Sequence, residues 1–276
     1  MTEDGWATIT TVLCDLDGVV WLAHRPIDGS AEAVAELRAS GRRVLFVTNN
    51  SAPTRSEHEA ALQAVGIPAV GDIVSSAMAA GRLVGEGDRV LVSGGPGVVE
   101  AVEEAGATAV VNDGRVDPDG FDAVVVGLHR DFDFDRLAVA SAAVRAGARL
   151  IGTNTDSTYP TTEGLRPGGG AILAAVATAA GVEPVVGGKP HRPMADLIAD
   201  LLATDGSVVD SSTTVMVGDR PETDGAFAAR LGCRFALVRS GVPLPAQVDV
   251  GVPVDLVADD LREVAVRMAS ASARDE

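Results

Sequence analysis

Two carboxylates two residues apart, Asp15 and Asp17 in Asp-Leu-Asp-Gly, are the first residues of this chain whose types and spacing suit catalysis. At i and i+2 of an extended segment they project to the same side. A third, Asp219, stands in Gly-Asp-Arg-Pro-Glu-Thr-Asp just past the apolar run 213–217, with Asp224 closing the stretch. Gathered in one crevice, three such charges need a cation or raised pKa values. Hard oxygen ligands in an open site suit Mg²⁺, which keeps waters and takes a substrate phosphate oxygen as a further ligand. Each piece also has a plainer reading. Asp15 and Asp17 can be turn formers ahead of Gly18, and Gly-Asp is common turn chemistry.

Lys189, in Gly-Gly-Lys-Pro, is the only lysine among the 22 lysine and arginine residues. A planar guanidinium does not replace a compact, strongly hydrated ammonium on a flexible stem. A site that neutralises carboxylate and phosphoryl charge would therefore keep lysine where solvated positions drift to arginine. Thr48, closing Val-Leu-Phe-Val-Thr, offers a hydroxyl and following backbone N–H groups to an anion. Taken alone, Thr, Asn and Ser after a strand are more often a helix cap.

Elements that must position these groups alternate along the whole chain. The runs 8–14, 42–48, 89–93, 121–127, 148–153, 182–187, 213–218 and 234–238 are apolar and β-branched, as buried parallel strands are. The runs 31–40, 57–66, 97–106, 135–147, 170–181 and 195–203 carry helical periodicity, and several end at glycine. This predicts an α/β, Rossmann-like, doubly wound parallel sheet. Thr48 and Lys189 lie far enough apart for several βα units between them. The expected organisation is a core from 1–80 and 186–276, split by an α/β cap over 81–185. The last residues, 269–276, are expected to fray.

The formal charge is −17, which argues against sequence-independent binding to nucleic acid or an anionic membrane. The two cysteines, Cys14 and Cys233, lie in apolar runs, so a disulfide framework is not expected and a cytoplasmic location is. The opening residues lack a signal-peptide pattern, and no apolar stretch reaches the length of a membrane span.

The four motifs, in order, resemble those of the haloacid dehalogenase-like phosphatases. Trp21, the stretch 152–170 and the insertion between the second and third motifs resemble the NagD-like branch, which has a large α/β cap. The resemblance implies that Asp15 is a nucleophile forming an aspartyl-phosphate. Asp17 would protonate the leaving alcohol and then activate water. Mg²⁺ would be held by an Asp15 oxygen, the Asp17 backbone carbonyl and the Asp219 carboxylate. Thr48 with Asn49 would bind phosphoryl oxygens, Lys189 would balance charge, and Asp224 would orient Lys189 or metal-bound water. Tyr159, the single tyrosine, precedes Pro160 in a stiffened segment and would reach from the cap toward the substrate. Glycerol 3-phosphate is the first substrate candidate, with 2-phosphoglycolate, sugar phosphates and nucleoside monophosphates as alternatives. A homodimer through the cap stays open.

Rival readings also exist. Cys233 to Ser240 satisfies C-x5-R-[ST], the pattern of cysteine-dependent phosphatases, but its interior is apolar and strand-like. Residues 94–100 imitate a dinucleotide fingerprint, with Glu100 in place of the third glycine. His24, His58, His129 and His191 lack metal-ligand spacing. A protein that binds phosphometabolites without turnover is the alternative of a different class. The complete set Asp15, Asp17, Thr48, Lys189 and Asp219 argues against it.

Overall fold

The computed structural model describes residues 3–161, 163–204, 206–241 and 251–272. Six parallel strands form one sheet in the order Leu256–Ala258, Arg234–Val238, Thr214–Gly218, Thr11–Cys14, Arg43–Thr48 and Ile73–Ser75. Successive side chains point to opposite faces, and both faces are buried. Val12, Cys14, Val44, Phe46, Val215 and Val217 pack on one side with the helices Ser30–Ala39 and Leu261–Ser272. Leu13, Leu45, Val47 and Met216 pack on the other with Arg192–Ala203 and Ala226–Leu231. Two-sided burial is why these strands read as continuous apolar runs rather than alternating ones.

A second parallel sheet lies within the long insertion, in the order Val185–Val186, Arg149–Gly152, Ala123–Val126, Arg89–Ser93 and Thr108–Val111. Its helix Gly169–Ala180 ends at Gly181, whose φ of 73° supplies the left-handed C-cap. In the first unit, Arg55–Ala64 starts with a reciprocal capping box between Thr54 and Glu57.

All eight expected strands contain an observed one, though several are shorter than the apolar runs. The strands Ile73–Ser75, Thr108–Val111 and Leu256–Ala258 were not anticipated, because at three or four residues their pairing comes from the neighbouring strand rather than from local pattern. The helices Ser76–Gly81, Ala226–Leu231 and Leu261–Ser272 were also unanticipated. Residues 269–272, part of the stretch expected to fray, form the last turn of the helix Leu261–Ser272. Residues 273–276 of that stretch lie outside the described ones. Thr158–Thr161 is a strand paired antiparallel with Gly164–Pro167.

The connectivity makes the site. From the central strand Thr11–Cys14 the chain winds outward through Arg43–Thr48 and Ile73–Ser75, crosses the second sheet, and returns on the other side at Thr214–Gly218. Ligands in open α/β sheets bind beyond the carboxyl ends of the strands where the order reverses. Those ends carry Asp15 and Asp219. Among the described residues no helix is long and apolar enough to cross a membrane.

Candidate active site

Asp15 follows the central strand directly. Its backbone N–H donates to Val217 O at 2.9 Å, and its Oδ1 accepts from Leu16 N at 2.8 Å. The turn after it brings Gly18 against Asp219: φ is 93°, and a Cβ there would collide with the Asp219 carboxylate. Glycine is required on both counts. The Asp17 carboxylate accepts from the Trp21 indole N–H at 3.1 Å, and burial raises its pKa above the usual carboxylate range.

Asp224 is placed by a single π turn, Pro221–Gly225, in which the Arg220 carbonyl accepts from Asp224 N at 2.7 Å. Its Oδ2 accepts from Arg220 N at 3.1 Å, while Oδ1 faces Lys189. π turns inserted in helices recur at functional sites because they re-aim one side chain.

Lys189 is 1% exposed, with its Nζ 2.7 Å from Asp224 Oδ1 and 2.9 Å from Asp15 Oδ1. Burial alone would lower its pKa, but the Asp15 and Asp224 carboxylates outweigh that and hold it above the usual value. Lys189 is therefore an ammonium. Asp15 is raised by burial and by the charges of Asp224 and Asp219, against the opposing pull of Lys189.

Asp15, Asp219 and Asp224, all buried, each offer an oxygen within 4.8 Å of the others. One ammonium does not balance three carboxylates, and a cluster of hard oxygens fits a divalent cation such as Mg²⁺. Asp17 contributes no carboxylate to this group.

Thr48 lines the same pocket, 1% exposed, its Oγ1 accepting from Asn50 N at 3.0 Å. Asn49 also lines it, but its side chain is committed elsewhere. Oδ1 accepts from Lys189 N at 2.9 Å, while Nδ2 donates to Lys189 O at 3.1 Å and to Asp156 Oδ2 at 3.0 Å. Its carbonyl accepts from Asn154 Nδ2 at 2.7 Å and from Ser76 Oγ at 2.7 Å. Asn49 thus ties the core loop to Lys189 and to the inserted unit. Ser51 adds to this seam: its Oγ accepts from Leu128 N at 3.3 Å and meets Thr153 Oγ1 at 3.0 Å.

The pocket, about 340 Å³, lies between the two units, with Asp15, Asp17, Thr48, Asn49, Lys189 and Asp224 toward the core and Tyr159 on the inserted wall. Sequence reasoning missed Asn154, Asp156, His24, Arg130 and Arg220, which also line it. Asn154 and Asp156 follow the strand Arg149–Gly152, so the rule that polar residues past a strand end face the ligand could have found them. His24 sits at the tip of a hairpin, Trp21–Leu22 with Arg25–Pro26, its ring centroid 4.9 Å from that of Trp21 and tilted 49° to it. Ala23 and His24 there have φ of 48° and 65°. The tight turn that sends the ring into the pocket therefore uses a backbone region that non-glycine residues rarely adopt.

The cysteine rival has no geometry behind it. Residues Arg234–Val238 are a sheet strand that cannot wrap an oxyanion, and burial pushes the Cys233 thiol up to about 12. A reactive thiol needs the opposite shift. Residues 94–100 form a βα turn into the helix Pro96–Glu104.

A haloacid dehalogenase-like hydrolase model matches residues 12–108, and a HAD-hydrolase-like model matches 186–264. An acid sugar phosphatase from Staphylococcus haemolyticus is 35% identical over 83% of this chain and 85% of its own. A 5'-nucleotidase from Bacillus subtilis is 34% identical over 83% of this chain and 87% of its own. A glycerol phosphate phosphatase from Mycobacterium tuberculosis, solved in complex with magnesium, superposes with a TM-score of 0.80 at 32% identity, covering 94% of this chain and 77% of that one. The chain belongs to the haloacid dehalogenase-like hydrolases, among their phosphatases.

Proposed function

We propose that the protein is a Mg²⁺-dependent phosphomonoester hydrolase that acts through Asp15 on small phosphorylated metabolites. The observation that carries this is the buried pairing of Lys189 with Asp15 and Asp224 beside Asp219, at the switch point of the sheet. Asp15, Asp219 and the Asp17 backbone carbonyl would hold the metal, which supplies positive charge against the phosphoryl oxygens.

A carboxylate oxygen of Asp15 attacks phosphorus and the bond to the leaving oxygen breaks, giving an aspartyl-phosphate and an alkoxide. Asp17, whose raised pKa favours a bound proton, delivers that proton to the alkoxide. Water then attacks phosphorus and gives a proton back to Asp17. Inorganic phosphate leaves, and Asp15 is regenerated. Thr48 and the loop amides beside it bind phosphoryl oxygens, and Lys189 holds Asp15 in place while offsetting charge. Asn49 supports the reading through its bonds to the Lys189 backbone N–H and carbonyl, which anchor the main chain from which the ammonium reaches Asp15 and Asp224. Asp224 orients Lys189.

Residues 81–185 act as a cap that closes over the leaving group, with Tyr159 on its wall. Relatives named for sugar phosphates, glycerol phosphate and nucleotides bound the substrate class, and glycerol 3-phosphate is the first candidate. The test is Mg²⁺-dependent hydrolysis of p-nitrophenyl phosphate. Asp15→Asn abolishes it, EDTA abolishes it, and Cys233→Ser leaves it within a factor of two. An active Asp15→Asn with a dead Cys233→Ser refutes the assignment.

A further inference from the structure

The charges around the pocket are unevenly satisfied. Lys189, at the core end, is held by two carboxylates. Arg220 reaches the pocket near Asp17 and Asp156, whose charges it influences. Asp156, the acid on the inserted wall, accepts from Asn49. Arg220 makes no ion pair and no side-chain hydrogen bond among the described residues, and Arg130 differs from it by its place, on the inserted unit that also carries Tyr159. Arg130 comes from the segment after the strand Ala123–Val126, lines the pocket and is exposed to solvent. Among the described residues it likewise meets no carboxylate and makes no side-chain hydrogen bond. Elsewhere in the inserted unit Arg136 pairs with Asp133 and Arg149 with Asp88. In a chain with a net charge of −17, acids to pair with are abundant.

On the proposed reading of the site, the phosphoryl group is served by Lys189, Thr48 and the metal, all at the core end. Arg130 brings to the 340 Å³ pocket a cation without an ion-pair partner from the inserted unit, the side that carries Tyr159 and on this reading faces the leaving half of the substrate. We infer that Arg130 is a specificity residue that pairs with an anionic group on the leaving alcohol, so that the preferred substrates are phosphomonoesters ending in a carboxylate or a similar acid. A guanidinium binds a carboxylate through two parallel N–H···O bonds, a fork that a hydroxymethyl group does not match. The inference rests on the phosphatase reading and narrows it, moving the preference from glycerol 3-phosphate toward acid-bearing compounds of the 2-phosphoglycolate kind.

A matched pair of compounds isolates the contact. Glycerol 3-phosphate and 3-phosphoglycerate share one carbon skeleton and differ at the far end, hydroxymethyl against carboxylate. The experiment measures kcat and KM for both with the wild-type protein, Arg130→Ala and Arg130→Lys at saturating Mg²⁺. The wild type is expected to prefer 3-phosphoglycerate. Arg130→Ala should lower the ratio of the two kcat/KM values at least tenfold, chiefly through KM for the acid, and Arg130→Lys should recover part of it. An unchanged ratio, or equal losses on both compounds, overturns the inference and leaves Arg130 a solvated surface charge.

Binding of both compounds to Asp15→Asn and to Asp15→Asn/Arg130→Ala, measured by calorimetry, separates this from the catalytic reading. Selective loss of 3-phosphoglycerate binding in the double variant supports the subsite even where turnover fails. Equal binding of the two compounds by Asp15→Asn refutes the subsite while leaving the phosphatase reading intact.

Discussion

Lys189→Arg keeps the charge and changes only its shape, so it probes the geometry at the centre of the site. The ammonium fits between Asp224 Oδ1 at 2.7 Å and Asp15 Oδ1 at 2.9 Å, in a position 1% exposed. A guanidinium spreads its nitrogens around a planar carbon and adds volume where none is free. Overpacking of a filled interior costs about 1–3 kcal/mol. The fork can also satisfy one carboxylate well at the expense of the other, and a hydrogen bond to a charged group is worth about 1.5–3 kcal/mol. If only about 1.4 kcal/mol of this reaches the transition state, kcat/KM falls about tenfold.

Arg192→Lys, three residues on, is the control. That side chain is 82% exposed and meets Asp196 at 3.2 Å one helical turn away, a pair worth about 0.3–0.5 kcal/mol. The assay is p-nitrophenyl phosphate hydrolysis at saturating Mg²⁺, with urea unfolding of each variant to show that the protein assayed is folded. Lys189→Arg within twofold of wild type, in a folded protein, refutes the argument from shape. The lysine would then be a compositional accident.

Two further predictions concern residues outside that pair. Tyr159→Ala should reorder the ranking of metabolite substrates and affect p-nitrophenyl phosphate less, since an aromatic leaving group needs little help. An equal fractional change in kcat/KM for every substrate, or none, removes Tyr159 from substrate choice. His58 is buried, its Nε2 3.2 Å from the Asn50 carbonyl, and burial lowers its pKa below 6.5. The unfolded chain then binds the extra proton first as pH drops, so this group destabilises the fold from pH 6.5 downward, until the folded protein also takes up the proton. The slope for one proton is at most about 1.4 kcal/mol per pH unit. Urea unfolding between pH 5 and 7.5 should show a shallower loss in His58→Gln than in the wild type, and parallel curves would contradict it.

How much of this was legible follows from what each residue needed. The central strands announced themselves because both sheet faces are buried, so every position from Val12 to Cys14 and from Val44 to Val47 is apolar. Against such runs a terminal aspartate stands out, and Asp15 and Asp219 could be named from the chain alone. Lys189 was legible for a different reason: its uniqueness among the basic residues recorded a chemical demand without any knowledge of its partners. The separation of Thr48 from Lys189 likewise leaves room for several βα units between them.

What tertiary structure alone decided is which polar groups meet across that insertion. Asn49 reads as a phosphate ligand in sequence, yet its amide is taken up by Lys189, 140 residues later, and by Asp156, 107 residues later. Nothing local in Thr-Asn-Asn-Ser records those partners. His24 and Arg130 carry no pattern that separates them from solvated charges, and only the docking of the inserted unit on the core turns them toward one cavity. The short edge strands were hidden for the same reason, since three or four residues take their conformation from the strand beside them. A burial pattern is written residue by residue along the chain. A hydrogen-bond partner is chosen by distance in space, and distance in space belongs to the packed molecule.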